Sequence, residues 1–112
     1  MKKINRLTKN WEFNEVIASK NQVVNKFLIV YYQPSNSLKV GLTVPKKFAN
    51  AVKRNYYKRQ LRAILQICKI QSLNFKMVII VRKEFIETDY ATKKQAIINL
   101  FEKFKNEKIK SL

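Results

Sequence analysis

The chain has 112 residues, of which 46% are hydrophobic, and a formal net charge of +17 from 24 Lys or Arg against 7 Asp or Glu. This length and composition fit a single domain, residues 1–112, with one hydrophobic core. With no histidine, one cysteine and one glycine, the sequence excludes a histidine base, a zinc site and a Gly-rich phosphate loop, so the polypeptide alone is not expected to be an enzyme.

The amino terminus begins with charged residues, as a secretion signal does, but no apolar segment follows them. The longest apolar run is far shorter than the roughly 20 residues that a membrane span needs. A lone Cys68 cannot close an intrachain disulfide, and its helical spacing from Leu61 and Leu65 indicates a buried position. We therefore expect a cytoplasmic protein without a membrane partner.

The first predicted element is a helix that Asn10 can cap and that ends near Lys20. Phe13, Val16 and Ile17 follow helical spacing, so they share one face of this helix. That apolar face is expected to pack on the remainder of the domain.

Two strands are predicted next, over 24–33 and 38–44, separated by a turn at 34–37. In the second strand, apolar and polar side chains alternate, as they do in a half-buried strand. Its apolar set is Leu38, Val40, Leu42 and Val44.

Asn50 is a good cap for a long middle helix that ends near Gln71. A third strand is predicted over 76–82, and Thr88 or Asp89 caps a last helix. The core stripe of that last helix is Ile97, Phe101 and Phe104. The order α-β-β-α-β-α predicts an α+β fold in which helices are layered on a sheet.

Glu84, Glu87 and Asp89 form the one cluster of acidic residues. Their carboxylates suit a hydrated Mg²⁺, but acids before or in the first turn of a helix are also ordinary partners of the helix dipole. We favour the second interpretation and predict no metal site in the protein.

The middle helix carries uncompensated positive charge. Five of the ten residues over 53–62 are cationic, and no acidic residue occurs over 16–83. A chain that repels itself this strongly is expected to work beside a polyanion, with nucleic acid as the leading candidate. At about 100° per residue, four side chains lie at or beside the edge of the apolar arc of this helix, and we predict that they line a furrow between helix and sheet. They are Asn55, Lys58, Arg59 and Arg62.

Three of the five arginines, Arg54, Arg59 and Arg62, lie within nine residues of one another. A planar, bidentate donor suits phosphate, so we interpret this cluster as a nucleic-acid contact rather than a solvated face. Arg54 lies on the apolar side by angle, but in the first turn its side chain can clear the core. Lys46 and Lys47 stand just before the helix amino terminus, which predicts an anion site there.

Residues 39–65, KVGLTVPKKFANAVKRNYYKRQLRAIL, resemble the core motif of the bacterial ribonuclease P protein component. The residues that fill the family pattern are Gly41, Thr43, Val44, Lys46, Lys47, Asn50, Ala51, Val52, Arg54, Asn55, Lys58, Arg59 and Arg62. Likenesses at Arg6, Leu7, Phe13 and Arg82 extend the resemblance over nearly the whole chain. The main departure is Tyr56, which replaces the third residue of an Arg-Asn-Arg box by an aromatic that can still stack on a base.

The resemblance implies an α/β sandwich with a mixed sheet of about four strands, three helices and a left-handed βαβ crossover, a fold type also found in a ribosomal protein. Three strands are evident from the pattern, so the position of the fourth is left open. The implied function is that of the protein subunit of ribonuclease P, which assists Mg²⁺-dependent endonucleolytic removal of the 5′ leader from precursor tRNA. Catalysis then resides in the RNA subunit, which binds most of the Mg²⁺.

The implied partners are the catalytic RNA and precursor tRNA, with no small-molecule substrate. The RNA-binding residues that the resemblance and the helix pattern select are Lys46, Lys47, Asn50, Lys53, Arg54, Asn55, Lys58, Arg59 and Arg62. Arg6, Lys9 and Arg82 are further basic candidates.

In the family, the leader lies in a cleft between the sheet and the first helix. Phe13 is therefore expected either to stack on the leader or to pack in the core, and Ile17 is expected to wall the same cleft. Val30 or Tyr31 completes the wall, depending on strand register, and Tyr31 is the candidate that we adopt.

Three other functions compete with this one. A ribosomal or general RNA-binding protein shares the charge and the α+β pattern, but does not require the spacing of the basic motif. A helix-turn-helix DNA binder needs a second helix before residues 50–71, where the pattern predicts a strand. An independent nuclease lacks a base and a convincing metal site.

Overall fold

The computed structural model describes residues 6–7, 9–70 and 73–110, with side chains described as far as residue 107. The helices and strands, numbered in chain order, are α1 (Asn10–Ala18), β1 (Gln22–Val24), β2 (Leu28–Pro34), β3 (Lys39–Thr43), α2 (Ala51–Ile67), β4 (Phe75–Val81), α3 (Lys83–Glu87) and α4 (Tyr90–Lys110).

The four strands form one mixed sheet in the order β1-β2-β4-β3. The β1–β2 and β2–β4 pairs are antiparallel, and the β3–β4 pair is parallel. Because parallel neighbours need a crossover connection, α2 must carry the chain from one end of β3 to the opposite end of the sheet. The α+β class and the four-stranded mixed sheet are confirmed, whereas the left hand of this crossover stays a prediction.

The fourth strand, β1, lies just before the segment that the pattern assigned to a single strand and shares only Val24 with it. A tight turn at Asn25 separates β1 from β2, so the strand predicted over 24–33 corresponds to β2 but begins four residues too early. The Asn25 side-chain oxygen accepts hydrogen bonds from the backbone N–H groups of Phe27 and Leu28, both at 2.8 Å. Asn is a common turn residue for this reason, and the signal was present in the sequence.

Two apolar layers cover the two faces of the sheet. The larger layer packs α2 and α4 on one face and includes Val30, Val40, Leu61, Ile64, Met77, Ile79, Phe85, Ile97, Phe101 and Phe104. The smaller layer lies beneath α1 and consists of Leu7, Val16 and Val78, with Phe13, Tyr31 and Ile80 packed against it. Burial therefore resolves the register: Val30 belongs to the large core, and Tyr31, opposite Val78, faces the α1 side.

Two predicted helix caps are confirmed and one was wrong. The side chain of Asn50 accepts a hydrogen bond from the N–H of Lys53 at 3.0 Å, and Asp89 accepts one from the N–H of Thr92 at 3.0 Å. Asn10 is instead the first residue of α1, following Lys9, which makes no side-chain cap bond.

Other boundaries also differ from the predicted ones. Helix α1 ends at Ala18, and Lys20 adopts a positive φ of 64° that ends the helix. Helix α2 ends at Ile67, and the predicted end at Gln71 lies outside the described residues. A short additional helix, α3, precedes α4, so the described chain has four helices where three were predicted. None of the described helices is long and apolar enough to cross a membrane.

Candidate nucleic-acid interface

A cleft of about 400 Å³ lies where α2 meets the outer edge of the sheet at β3. Its lining residues are Arg6, Leu7, Phe13, Val40, Gly41, Leu42, Lys58, Arg62, Leu65 and Gln66. The cleft thus joins cations to an aromatic ring and an apolar floor, which is the combination that suits single-stranded nucleic acid.

The helical positions of Lys58 and Arg62 explain why these two cations reach the cleft. Both are half-buried at the border between the core-facing stripe of α2 and solvent. The predicted furrow exists and contains them, whereas Asn55 and Arg59 are exposed and lie outside its lining. The furrow is therefore smaller than predicted: Arg59 lies about 100° around the helix from Lys58, and Asn55 lies about two turns nearer the helix amino terminus than Arg62.

Arg62 lies close enough to Arg6 and to Arg59 for each of them to repel it. The pKa of Arg62 is lowered from its ordinary value, first by burial and then by the positive charges of Arg6 and Arg59. Arg6 reaches this position through a bridge between its backbone and Val40, at the free edge of β3. Glu12 and Glu87 form their ion pairs with lysines and not with these arginines. An anionic ligand would relieve this repulsion.

The amino-terminal end of α2 gathers further cations. Lys46 and Lys47 are both exposed just before the helix, and Lys53 is exposed in its first turn. Arg54 does not extend freely past the core as predicted: its guanidinium turns back and donates a hydrogen bond to the Ala49 carbonyl at 3.0 Å. Arg54 therefore helps to hold the loop that carries the two lysines.

The candidates for the leader cleft lie on the α1 side of the sheet. The Phe13 ring packs directly over Gly41 and also lines the cleft, so it makes a packing contact, and its stacking on the leader stays a prediction. Tyr31 is half-buried on the same face, and Ile17 is 37% exposed at the edge of α1. The fold thus places all three on the α1 side, with only Phe13 in the lining of the basic cleft.

The remaining basic candidates have different surroundings. The Arg82 guanidinium donates a hydrogen bond to the Asn25 carbonyl at 2.8 Å, so this side chain stabilises the β1–β2 turn. Lys9 is exposed, and its Nζ lies 5.9 Å from the centre of the Trp11 ring.

The acidic cluster after β4 is divided among local contacts. The Asp89 carboxylate accepts hydrogen bonds from the N–H and hydroxyl of Thr92, and these bonds lower the pKa of Asp89. Glu87 pairs with Lys83 at 4.0 Å. Over the described ranges, no three His, Cys, Asp or Glu side chains converge as metal ligands would.

The sequence did not reveal an ionic contact beneath α1 in which a buried glutamate meets two partly exposed lysines. The side chain of Glu12 lies 3.8 Å from the Nζ of Lys39 and 3.7 Å from the Nζ of Lys76. Lys39 and Lys76 are paired across β3 and β4, so Glu12 joins α1 to both strands and helps to position the neighbouring Phe13. The alternation of β3 already placed Lys39 on the same face as Gly41, but no local pattern connected it to Glu12.

Comparisons with known proteins agree on one family. The Ribonuclease P family model matches residues 1–105. The ribonuclease P protein component of Mycoplasmopsis pulmonis is 54% identical over 111 residues, covering 98% of this chain and 100% of the relative. That of Mycoplasmopsis synoviae is 51% identical over 112 residues, with 98% and 100% covered.

Solved structures show the same fold. The RNase P protein of Thermotoga maritima superposes with a TM-score of 0.76 at 26% identity, covering 88% of this chain and 96% of its own. The RNase P protein of Staphylococcus aureus superposes with a TM-score of 0.79 at 24% identity, covering 89% and 94%.

Proposed function

This chain belongs to the bacterial ribonuclease P protein family, and we propose that it is the protein subunit of a ribonuclease P ribonucleoprotein. In this role it binds the catalytic RNA and the 5′ leader of precursor tRNA in the cytoplasm, and it assists removal of the leader. The observation that carries the proposal is the convergence of Lys58, Arg62 and the Phe13 ring on one cleft. Paired cations there suit phosphate, and the ring suits an unpaired base.

The two RNAs are assigned to adjoining surfaces. The exposed side of α2, with Lys53, Arg59 and the lysines before the helix, faces the catalytic RNA. The α1 side of the sheet, with Phe13, Ile17 and Tyr31, receives the leader, which is single-stranded and can present its bases. Arg62 lies at the border between these two surfaces, where its side chain can contact the catalytic RNA or the leader.

The chemistry belongs to the RNA. Mg²⁺, held mainly by the RNA subunit, would supply the activation of water and the stabilisation of the leaving oxygen that metal ions provide in phosphodiester hydrolysis. The protein contributes positive charge, which reduces repulsion between substrate and catalytic RNA and thereby favours substrate and Mg²⁺ binding.

The competing functions differ in what they require of the fold. A helix-turn-helix protein needs a helix directly before its recognition helix, but strand β3 and a loop precede α2. A general RNA-binding protein would also have a basic cleft. It would differ from a ribonuclease P subunit only in having no effect on removal of the leader.

The test is cleavage of a precursor tRNA with a 5′ leader by the cognate catalytic RNA at low millimolar Mg²⁺, with and without the protein. We expect strong stimulation only when RNA and protein are both present. Tight RNA binding without stimulation would favour the general RNA-binding function. Cleavage by the protein alone would overturn the assignment of catalysis to the RNA.

Variants of the basic helix make the test specific. Arg59→Ala and Arg62→Ala should each weaken holoenzyme formation or cleavage by about 1–3 kcal/mol, the scale of a lost charge-assisted contact. Lys103→Ala, which removes the same charge from an exposed position on α4, serves as the control. Activity equal to wild type in both arginine variants would contradict the role of α2.

A further inference from the structure

The solvent-facing side of α2 carries an apolar stripe with a tyrosine in its first half. Val52, Tyr56 and Ile67 are large, exposed apolar residues on this helix, with Tyr56 54% exposed. At 100° per residue they lie within one narrow arc, on the side of the helix opposite to the buried Leu61 and Leu65. No described residue of another element buries this stripe.

The Tyr56 ring is held in place although it is exposed. Its centroid lies 5.2 Å from that of Tyr57 in a T-shaped arrangement with an interplanar angle of 71°. Its hydroxyl oxygen accepts a hydrogen bond from the Gln60 side-chain amide at 3.2 Å. The other amide atom of Gln60, Oε1, is buried and has no hydrogen-bond partner among the described residues. An aromatic ring held by a T-shaped ring contact and through its hydroxyl, and still exposed to solvent, loses little conformational entropy when a flat ligand stacks on it.

The charges around the ring indicate what that ligand is. Lys53 and Arg59 lie one turn before and one turn after Tyr56, and both are exposed. A second copy of this chain, or another basic surface, would bring like charges together at this stripe. A single-stranded nucleic acid instead offers phosphates to the two cations and a base to the ring.

We propose that Tyr56 is a base-stacking residue, on which an unpaired nucleobase of the RNA subunit lies while Lys53 and Arg59 bind the adjacent phosphates. This inference rests on the proposed function, since it assigns one contact within the same holoenzyme. It also gives a role to the position where this chain has tyrosine in place of the third residue of the Arg-Asn-Arg box. The exchange replaces a charge contact by a stacking contact.

The test measures binding of the full chain to its cognate catalytic RNA for wild type, Tyr56→Phe, Tyr56→Ala and Tyr56→Arg, each at several salt concentrations. Tyr56→Phe keeps the ring, so its Kd should stay within about twofold of wild type. Tyr56→Ala should raise the Kd about 5- to 150-fold, which is the range for loss of one base–aromatic stack. Its slope of log K against log[salt] should equal that of wild type, because stacking releases no counterions.

Tyr56→Arg should recover part of the affinity with a salt slope steeper by about 0.7 to 0.9, as expected for one more phosphate contact. Tyr90→Ala, an exposed tyrosine at the start of α4, is the matched control and should bind as wild type does. Circular dichroism and thermal unfolding of each variant establish that the fold is intact.

Several results would overturn the inference. They are equal affinity of Tyr56→Ala and Tyr56→Phe, a shallower salt slope in Tyr56→Ala, or an equal loss in Tyr90→Ala. Dimers of wild type that Tyr56→Ala converts to monomers would instead assign the stripe to a second copy. If the wild-type protein neither binds nor stimulates the catalytic RNA, the proposed function itself is wrong. If wild type binds and stimulates the RNA but the Tyr56 variants bind equally well, only the proposed stacking contact is wrong.

Discussion

Gly41, the one glycine in the chain, is required for space rather than for backbone conformation. No described glycine has a positive φ, but a Cβ built at Gly41 would lie 2.6 Å from Cε1 of Phe13. The absent side chain therefore allows the tip of the ring to approach β3 closely and to form one wall of the basic cleft. Sequence reasoning used Gly41 only as a family marker, because a close approach between α1 and β3 has no local pattern.

Replacing Gly41 by Ala should destabilise the protein by about 1–3 kcal/mol, the usual cost of overpacking, and should displace the Phe13 ring. Urea unfolding of wild type, Gly41→Ala, Phe13→Leu and the double variant measures the coupling between the two positions. We expect the double variant to be more stable than the sum of the single effects predicts. Simple additivity would contradict the steric explanation.

Lys93 is a buried cation that the sequence did not reveal, with only 2% of its surface exposed. Its Nζ donates a hydrogen bond to the Phe85 carbonyl at 2.9 Å and lies 4.1 Å from the centre of the Phe85 ring. Burial lowers the pKa of Lys93 below its ordinary value of 10.5, and the charge of Asp89 partly opposes this shift. Its charged neighbours along α4 give no sign that Lys93 is buried. The packing of α4 against α3 places this side chain in the core.

The lowered pKa of Lys93 predicts a specific pH dependence of stability. Between the folded-state pKa and 10.5, the unfolded chain binds more protons at this site than the folded chain does, so the free energy of unfolding rises with pH. Wild type should therefore gain stability relative to Lys93→Met as pH increases through this window. Comparing the two proteins cancels the opposite contribution of Cys68, whose pKa burial raises to about 11. A difference that stays constant with pH would contradict the prediction.

At the scale of elements, the caps of α2 and α4 and the bounds of β3 and β4 were predicted well, whereas the cap of α1 and the division between β1 and β2 were not. Asn50 and Asp89 were identified because an N-cap acts on an amide three residues away, within the reach of local sequence. The β1–β2 turn at Asn25 was missed because only two polar residues, Asn25 and Lys26, separate the apolar residues on its two sides. The Arg82 bond that stabilises this turn comes from the far end of β4.

The cap of α2 offers a prediction that separates folding from binding. Asn50→Ala should cost about 1 kcal/mol of stability, since the N–H of Lys53 loses its acceptor. Asn50→Asp keeps an acceptor and favours the positive end of the helix dipole, so its stability should match or exceed that of wild type. Its added negative charge beside Lys46 and Lys47 should nevertheless weaken RNA binding. Thermal unfolding measures the effect of each variant on stability, and RNA affinity measures its effect on binding. If Asn50→Asp binds RNA as tightly as wild type does, there is no anion site at this end of the helix.

At the scale of the whole molecule, the dominant property is a net charge of +17 with no acidic residue over 16–83. The sheet and α2 are built from this central segment, so the positive charge spreads over the surfaces that form the cleft. Self-repulsion opposes folding of the isolated chain, and a bound polyanion removes that penalty.

The salt dependence of RNA binding follows from this charge. If about five phosphates are contacted, the slope of log K against log[salt] should lie near −3.5 to −4.5. Filter binding or fluorescence anisotropy over a series of salt concentrations measures this slope. We expect Lys103→Ala to leave the slope unchanged and Arg62→Ala to reduce its magnitude by nearly one. A flat response would argue against contacts with the phosphate backbone.

The amino-acid sequence by itself determined the α+β class, the caps of α2 and α4, the core stripe of α4 and the uncompensated charge of the middle helix. Each of these depends on residues within a few positions of one another, where helical and strand periodicities act. Only the tertiary structure decided that Tyr31 rather than Val30 faces α1, that Arg6 lines the same cleft as Arg62, and that Glu12 lies between two lysines. Those contacts join residues far apart in the chain, and strand order and register bring them together, so no local pattern contains them.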